Sequence, residues 1–517
     1  MRKYFFKDFY SYLFLLTGCI AVGCYVICFL ANREFWLDEA FLGMNILTKN
    51  YLELWLPLDF KQVAPPLLLM ISKFFYQFSM GLSAEQSMRF YPFLCGVASI
   101  PLFFQIAKKL IRNRLILFIV FLLFCFNSRV IYYTQEFKQY ISDTFWGLFI
   151  IWIFLQTDIM RSNFKKLFFY GLLIGCLLFL SYTTIFFVAA GLGMLFFEKK
   201  CLVVSRFKID RKIFNKFLFL GTGYLIPFSL LLLLDVYNPH HEFMNLWWSW
   251  YGAFLKSDFS NLFVVFYAFL DFFFYGGTGT WTTYPTGVRL FFYDIPFILW
   301  ILSIFMPFLF FKQVGKKFLY FPFFILVILF ASYLKLYPAI DRTLLYYYPL
   351  FLIMFGIYAD SKIKLISYFS RFFLILILLA ISTNSSYVMH TILNSPNRVR
   401  NSIPILNKLS PEIIPIYINQ RMLFTQVIPV QQDHGSVFIF YKNLLHYNPK
   451  NMVRYPDYIN SEYVSQNCFS YFYKDLTLGQ QYALIWEDKF PLDCFVRLGM
   501  NQSFKQVGKY VYLWTQK

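Results

Sequence analysis

Apolar runs of near-spanning length, divided by short basic turns, fill the chain as far as residue 383. The first, residues 12–31, is about 20 residues long, enough to cross a hydrocarbon layer of roughly 30 Å as a helix. Others recur near 87–107, 115–127, 140–156, 167–182, 184–197 and 217–235, then near 291–311, 318–334, 344–358 and 366–383. Together they predict about eleven transmembrane helices. The stretch 167–197 can be read as one long helix or as two, and a single helix would invert everything after it. Charge decides for two. With the N-terminus inside, one side then receives Lys108, Lys109, Arg112 and Arg114, followed by Arg161, Lys165 and Lys166. The same side receives Lys199, Lys200, Arg206, Lys208, Arg211, Lys212 and Lys216, then Lys312, Lys316 and Lys317, and finally Lys362, Lys364 and Arg371. Basic clusters confined to one side are the positive-inside pattern. The other side holds residues 32–86, 236–290 and everything after Asn384.

The first external loop is itself apolar, with NREFWLDEAFLGMN near its start and LDFKQVAPPLLL further on. Such segments are too charged to span and apolar enough to lie in the interface plane. One interfacial helix is expected to begin near Glu34, which would put Glu34 and Asp38 on one face at i,i+4 and Glu39 about 100° around. A second should begin at Pro65–Pro66, since proline suits a first helical turn. Trp247, Trp248, Trp250 and Trp281 in the second long external loop suit an interfacial aromatic belt, and also sugar stacking. After Asn384 the Pro, Asn, Gln and charged residues rise. Short candidate strands at 436–441, 482–486 and 508–514 alternate with turn signals such as NPKN and YPDY. The expected architecture is a polytopic α-helical membrane domain over 1–383, with interfacial helices in its first external loop. A small external C-terminal α/β domain follows over 384–517.

Composition agrees. The chain is 59% hydrophobic and 14% charged, against about 25% charged in soluble proteins. Its net charge of +20 reads as topology and attraction to anionic lipid headgroups, which argues against nucleic acid as a partner. The basic start (Arg2, Lys3, Lys7) resembles a signal peptide. Its apolar run is long enough to span and shows no small-x-small cleavage site, so an uncleaved anchor is expected. Seven cysteines lie in or beside apolar runs and read as small hydrophobes. Cys468 and Cys494 fall in the external domain, where a disulfide and two buried thiols are both open readings.

Asp38 and Glu39 stand where the surrounding sequence is strongly apolar, and carboxylates held at a membrane cost free energy. Four segments now bear on their role: WLDEA after the first span, APPLLLMISKFF, MRFYPFLCGVASIPLFFQIAKKL and YYTQEFKQYISDTFW. Their order and spacing resemble the GT-C superfamily of polyprenyl-phosphate-sugar glycosyltransferases, in particular the branch of protein mannosyltransferases and aminoarabinose transferases. The resemblance covers about the first 150 residues, and the topology matches over the whole chain. It implies that Asp38 is a general base on an acceptor hydroxyl, with Glu39 beside it. A hydroxyl attacking an anomeric carbon must lose its proton, and a positioned carboxylate can take it. The lipid phosphate is already a good leaving group, so no second acid is required, but its developing charge needs a cation or a metal.

Candidate phosphate-binding residues on the external side are Lys61, Arg89, Lys138, Lys256 and Arg342, with Glu136 and Tyr140 in support. Arg342, in DRTLLYYYP, resembles the family's arginine-tyrosine segment. Lys138 stands where the family usually has arginine, which loses bidentate geometry and keeps the charge. Val63 and Ala64 stand where relatives often carry an acid, histidine or lysine. His240 and His241 follow the seventh span, where some relatives place a metal-contacting histidine, so a divalent metal ion is the one cofactor to consider. Interface turns, helix caps and solvated faces are the bland readings of these residues; for Asp38 the bland reading is a cap or a pair with Arg33. The expectation is an inverting glycosyltransferase of a bacterial inner membrane with its C-terminal domain in the periplasm. Its donor would be a polyprenyl-phosphate sugar, its acceptor a lipid, envelope glycan or protein hydroxyl, and membrane lipids would surround it. A flippase of lipid-linked glycans and an inactive binding module are the alternatives. The spans look almost free of interior charge and show no repeat, which disfavours a transporter.

Overall fold

In the computed structural model, polar side chains that accept backbone N–H groups mark where several helices begin. The structure describes residues 2–156 except 80, then 162–198, 211–235, 252–275, 320–360 and 364–394, four C-terminal strands, and scattered single positions. The described helices are α1 (Arg2–Leu30), α2 (Leu37–Thr48), α3 (Pro66–Gln77), α4 (Ala84–Leu110), α5 (Arg114–Cys125), α6 (Ser128–Thr134) and α7 (Tyr140–Gln156). They continue as α8 (Phe164–Cys176), α9 (Thr184–Glu198), α10 (Arg211–Asp235), α11 (Leu262–Leu270), α12 (Tyr320–Tyr333), α13 (Tyr348–Ala359) and α14 (Lys364–Leu393). Ser83 and Gln86 form a reciprocal capping box at α4, with both bonds at 3.1 Å. Asn113, Asn127 and Asn163 cap α5, α6 and α8.

The chain divides into two units. Met1–Ala31, Tyr51–Pro57 and Val63–Leu393 form the first; Asn32–Asn50, Leu58–Gln62 and Asn394–Lys517 form the second. The first unit is a polytopic helical membrane domain. Phe9–Leu30, Ala84–Leu110 and Phe214–Leu234 are each long and apolar enough to span, and α5 with α6, bent by 46° at their junction, reaches that length as a pair. The cause of the bend is local: Asn127 caps α6 immediately after Phe126 closes α5. Its amide also donates to the Phe273 carbonyl at 2.8 Å. Shorter apolar helices include Tyr140–Gln156, Thr184–Gly193, Leu262–Phe274 and Tyr320–Tyr333. Aromatic residues pack the interior, with Phe103 stacked on Phe124 at 4.2 Å and Phe273 on Tyr348 at 5.2 Å. On α8 and α10, Gly171 and Gly223 sit against each other's helix backbone with no room for a Cβ, the close approach that small residues give membrane helices.

Several expectations meet the structure here. The 167–197 stretch is two helices, α8 and α9, separated by the turn at 180–183. The loop at 236–290 holds an apolar helix, α11, that the sequence reading left as external chain. Most of the expected span at 291–311 lies outside the described residues. The expected boundary at 383/384 falls inside α14, which runs on to Leu393. The polar residues there are accommodated in the helix: the Ser385 hydroxyl donates to the Phe126 carbonyl, and the Thr391 hydroxyl to that of Tyr387 at 2.9 Å.

The second unit contains α2 and a four-stranded sheet of β1 (Ile414–Ile418), β2 (Gln481–Trp486), β3 (Phe504–Gly508) and β4 (Val511–Thr515). The order is β1-β2-β4-β3, with β1 parallel to β2 and the other pairs antiparallel. The strand expected at 482–486 is β2. The one expected at 508–514 is a hairpin, with Gly508 ending β3 and β4 starting at Val511. The strand expected at 436–441 and both Cys468 and Cys494 lie outside the described residues.

Candidate active site

Charge gathers in both units. In the second, α2 starts at Leu37 rather than near Glu34, because Glu39 fixes the start. Its carboxylate reaches back to accept the Trp36 N–H at 3.3 Å, the acidic half of a capping box. Glu34 therefore precedes the helix and shares no helical face with Asp38. Glu39 is fully buried and ion-paired with Arg33 at 3.0 Å. Arg33, the alternative partner expected for Asp38, thus pairs with Glu39. Asp38 sits partly exposed in the first turn of α2, where the positive end of the helix dipole favours a carboxylate.

Lys61 closes a tight turn, Asp59–Lys61, in which both Phe60 (φ 59°) and Lys61 (φ 53°) adopt the left-handed conformation. Non-glycine residues rarely do so without outside support. Support comes from α2. The Asn45 carboxamide accepts the Asp59 N–H at 2.8 Å and donates to the Asp59 carbonyl at 3.4 Å. Lys49 pairs with the Asp59 carboxylate at 3.1 Å, and the Phe41 and Phe60 rings stack at 5.1 Å.

In the first unit, four helices begin close together. Trp146 of α7 donates to the Tyr91 hydroxyl of α4 at 2.7 Å. Asp143 of α7 accepts from Ser181, just before α9, at 2.5 Å, and Ser181 contacts the Thr183 hydroxyl at 3.1 Å. Phe186 of α9 stacks on Tyr346, just before α13, at 5.9 Å. The Arg342 guanidinium lies 5.6 Å from the Tyr140 ring at the start of α7. Arg89 and Lys138 are buried at 3% and 6% exposure, and Glu136 is fully buried. Lys138 donates its N–H to the Glu136 carbonyl at 2.8 Å, a tight turn between α6 and α7. The opposite ends of α4 and α13 meet elsewhere: Asp360, after α13, accepts the N–H groups of Arg112 and Asn113 at 2.7 and 3.3 Å. Thus Arg89, Lys138 and Arg342 occupy the end of this unit remote from Lys108–Lys109–Arg112–Arg114.

Of the candidate residues, the structure joins Tyr140 to Arg342, with Glu136 and Arg342 both in electrostatic range of Tyr133. Lys256 stands exposed in a turn before α11, its N–H bonded to Asn261 at 2.9 Å. His240 and His241 lie outside the described residues. Among the described residues no three His, Cys, Asp or Glu side chains gather for a metal ion.

Four charged residues were missed. Asp143 and Asp271 are buried carboxyls in apolar helical segments, and a lone acid in a spanning run was a readable signal. Asp341, at φ 46°, lies in electrostatic range of Arg342, Arg129 and Asp271. Burial pushes its carboxyl up to about 6, against the opposing pull of the two arginines. Arg129 donates to the Phe272 carbonyl at 2.9 Å and stacks over the Phe272 ring at 4.3 Å. A small apolar pocket, with room of about 30 Å³, is lined by residues including Val265, Phe269, Ile328, Leu344 and Tyr347.

No family model and no curated protein matches the chain. Among solved structures, ArnT from Cupriavidus metallidurans bound to undecaprenyl phosphate is similar at 12% identity over 97% of each chain, with a TM-score of 0.46. The archaeal oligosaccharyltransferase AglB from Archaeoglobus fulgidus, in complex with an inhibitory peptide and a dolichol-phosphate, is similar at 11% identity. That match covers 84% of this chain and 64% of AglB, with a TM-score of 0.45. The Archaeoglobus fulgidus oligosaccharyltransferase complex with Zn and sulfate is similar at 13% identity over 83% of this chain and 61% of the other, with a TM-score of 0.44.

Proposed function

We propose that the chain is an inverting membrane glycosyltransferase that moves a sugar from a polyprenyl-phosphate carrier to an acceptor hydroxyl on the external face. One observation carries this reading. Arg89, Lys138 and Arg342 lie where α4, α7, α9 and α13 begin together, at the end of the bundle remote from its basic turns. Burying cations in a membrane protein costs several kcal/mol each unless an anion or dipole repays it, at roughly 3 kcal/mol or more on insertion scales. Converging helix N-termini add positive potential. A phosphate on a lipid suits that combination.

Asp38 accepts the acceptor's proton as its oxygen attacks the anomeric carbon. The bond from that carbon to the phosphate oxygen breaks, and the phosphate leaves with its electron pair. Lys61, Arg89, Lys138 and Arg342 hold the leaving phosphate, and Tyr140 orients Arg342 through its ring face. Glu39 keeps the start of α2 in place through Trp36 and Arg33. The acceptor is a lipid, an envelope glycan or a protein hydroxyl. The test is mass spectrometry of lipids and envelope glycans from cells with and without the gene. Loss of one hexose or pentose from a single glycoconjugate is the expected result. Unchanged glycans together with accumulation of a whole lipid-linked glycan on the inner leaflet would instead identify a flippase.

A further inference from the structure

The turn at Asp59–Lys61 is an unexplained expense of conformation. Two consecutive non-glycine residues are left-handed, one of them the lysine assigned to phosphate, and such outliers persist only where surrounding structure over-determines them. The backbone of the turn is held by one side chain of α2, that of Asn45. Asn45 is fully buried, and its carboxamide is saturated: Oδ1 accepts from Asp59 N–H, and Nδ2 donates to the carbonyls of Asp59 and Phe41. Exchanging its oxygen and nitrogen would set donor against donor at Asp59, so the hydrogen-bond pattern fixes its orientation. The residues between, Tyr51–Pro57, belong to the other compact unit, whereas Asn32–Asn50 and Leu58–Gln62 belong together. The turn thus stays with α2 through side-chain bonds rather than through chain continuity.

We infer that Asn45 is a positioning residue that locks Lys61 onto the helix carrying Asp38, so that the proton acceptor and one phosphate ligand move as one body. The inference rests on the function proposed above. Asp38 lies in the first turn of α2 and Asn45 two turns further along the same helix. Phe41 of α2 and Lys49, the residue directly after it, hold the side chains of Phe60 and Asp59. A base and a phosphate ligand fixed to one rigid element keep their separation when the rest of the chain moves, which is what transfer between two bound groups requires.

The experiment uses full-length protein in detergent micelles, with polyprenyl phosphate as binding probe and a polyprenyl-phosphate sugar as donor. In Asn45→Ala, hydrogen exchange at the Asp59 amide should rise at least about tenfold, and KM for the donor should rise about tenfold, with kcat within about threefold. Asn45→Asp keeps the acceptor for the Asp59 N–H, so it should keep that amide protected and give a smaller KM change. Lys61→Ala should raise KM comparably, and the Asn45→Ala/Lys61→Ala double variant should show no further rise, because both act through one group. A merely structural Asn45 would lower the yield of folded protein and leave KM of the folded fraction unchanged, or would add to the Lys61 effect; either result overturns the inference. A wild-type protein that neither binds polyprenyl phosphate nor transfers sugar from it removes the proposed function itself, and the inference with it.

Discussion

The two ends of the helical unit carry cations in opposite ways. At one end Lys108, Lys109, Arg112 and Arg114 are exposed, and Asp360 meets that turn through backbone N–H groups. At the other, Arg89 and Lys138 are buried and Arg342 lies against Tyr140, among the buried carboxyls Glu136, Asp143 and Asp271. The exposed set suits orientation of the chain in a membrane and needs no geometry. The buried set bears desolvation and has fixed neighbours, with buried carboxyls among them. Residue type alone does not distinguish the ends; burial and partners do.

The sharpest way to break that contrast is to remove one cation from each end. Arg342→Ala should lower kcat/KM for donor about a hundredfold, while Arg112→Ala should stay within about twofold, as surface charges away from special features usually do. Equal losses in a steady-state assay would remove the distinction. A smaller effect concerns the framework beneath the site. Asp143→Ala strips Ser181 of its carboxylate partner and should cost about 1–3 kcal/mol, read as a lowered Tm in detergent.

The smallest effect is a pH dependence. The Asp341 carboxyl is raised to about 6 in the folded chain, above the unfolded value of about 4. The folded state therefore binds the proton more tightly. This group's stabilising contribution is fully present below about pH 4 and is lost as pH rises through about 6, an amount of at most about 3 kcal/mol. The melting temperature of wild type should fall from pH 4 to pH 7 more steeply than that of Asp341→Asn. Parallel curves for the two would contradict the assignment.

Much of the helical unit was legible from hydropathy and charge, because a bilayer forces apolar length and basic asymmetry into the sequence. The separation of α8 from α9 was read from basic residues alone. The start of α2 was not, since Glu34, Asp38 and Glu39 all suit a first turn. Only the reach of Glu39 to Trp36 and Arg33 decides among them. The helix α11 hid inside a loop rich in tryptophan, and α14 ran through serines and asparagine that composition marked as a boundary. For the site, Arg342 and Tyr140 could be named from segment resemblance, but their meeting depends on α7 packing against the chain before α13. Asp341 comes within electrostatic range of Arg129 and Asp271, both distant from it in sequence.

The central claim, that Asp38 takes the proton, is tested most directly by single turnover of Asp38→Asn with a bound polyprenyl-phosphate sugar. Donor affinity should stay within about threefold of wild type while the transfer rate falls about a thousandfold, the range expected for loss of a general base. Transfer at the wild-type rate by the asparagine variant would contradict the account.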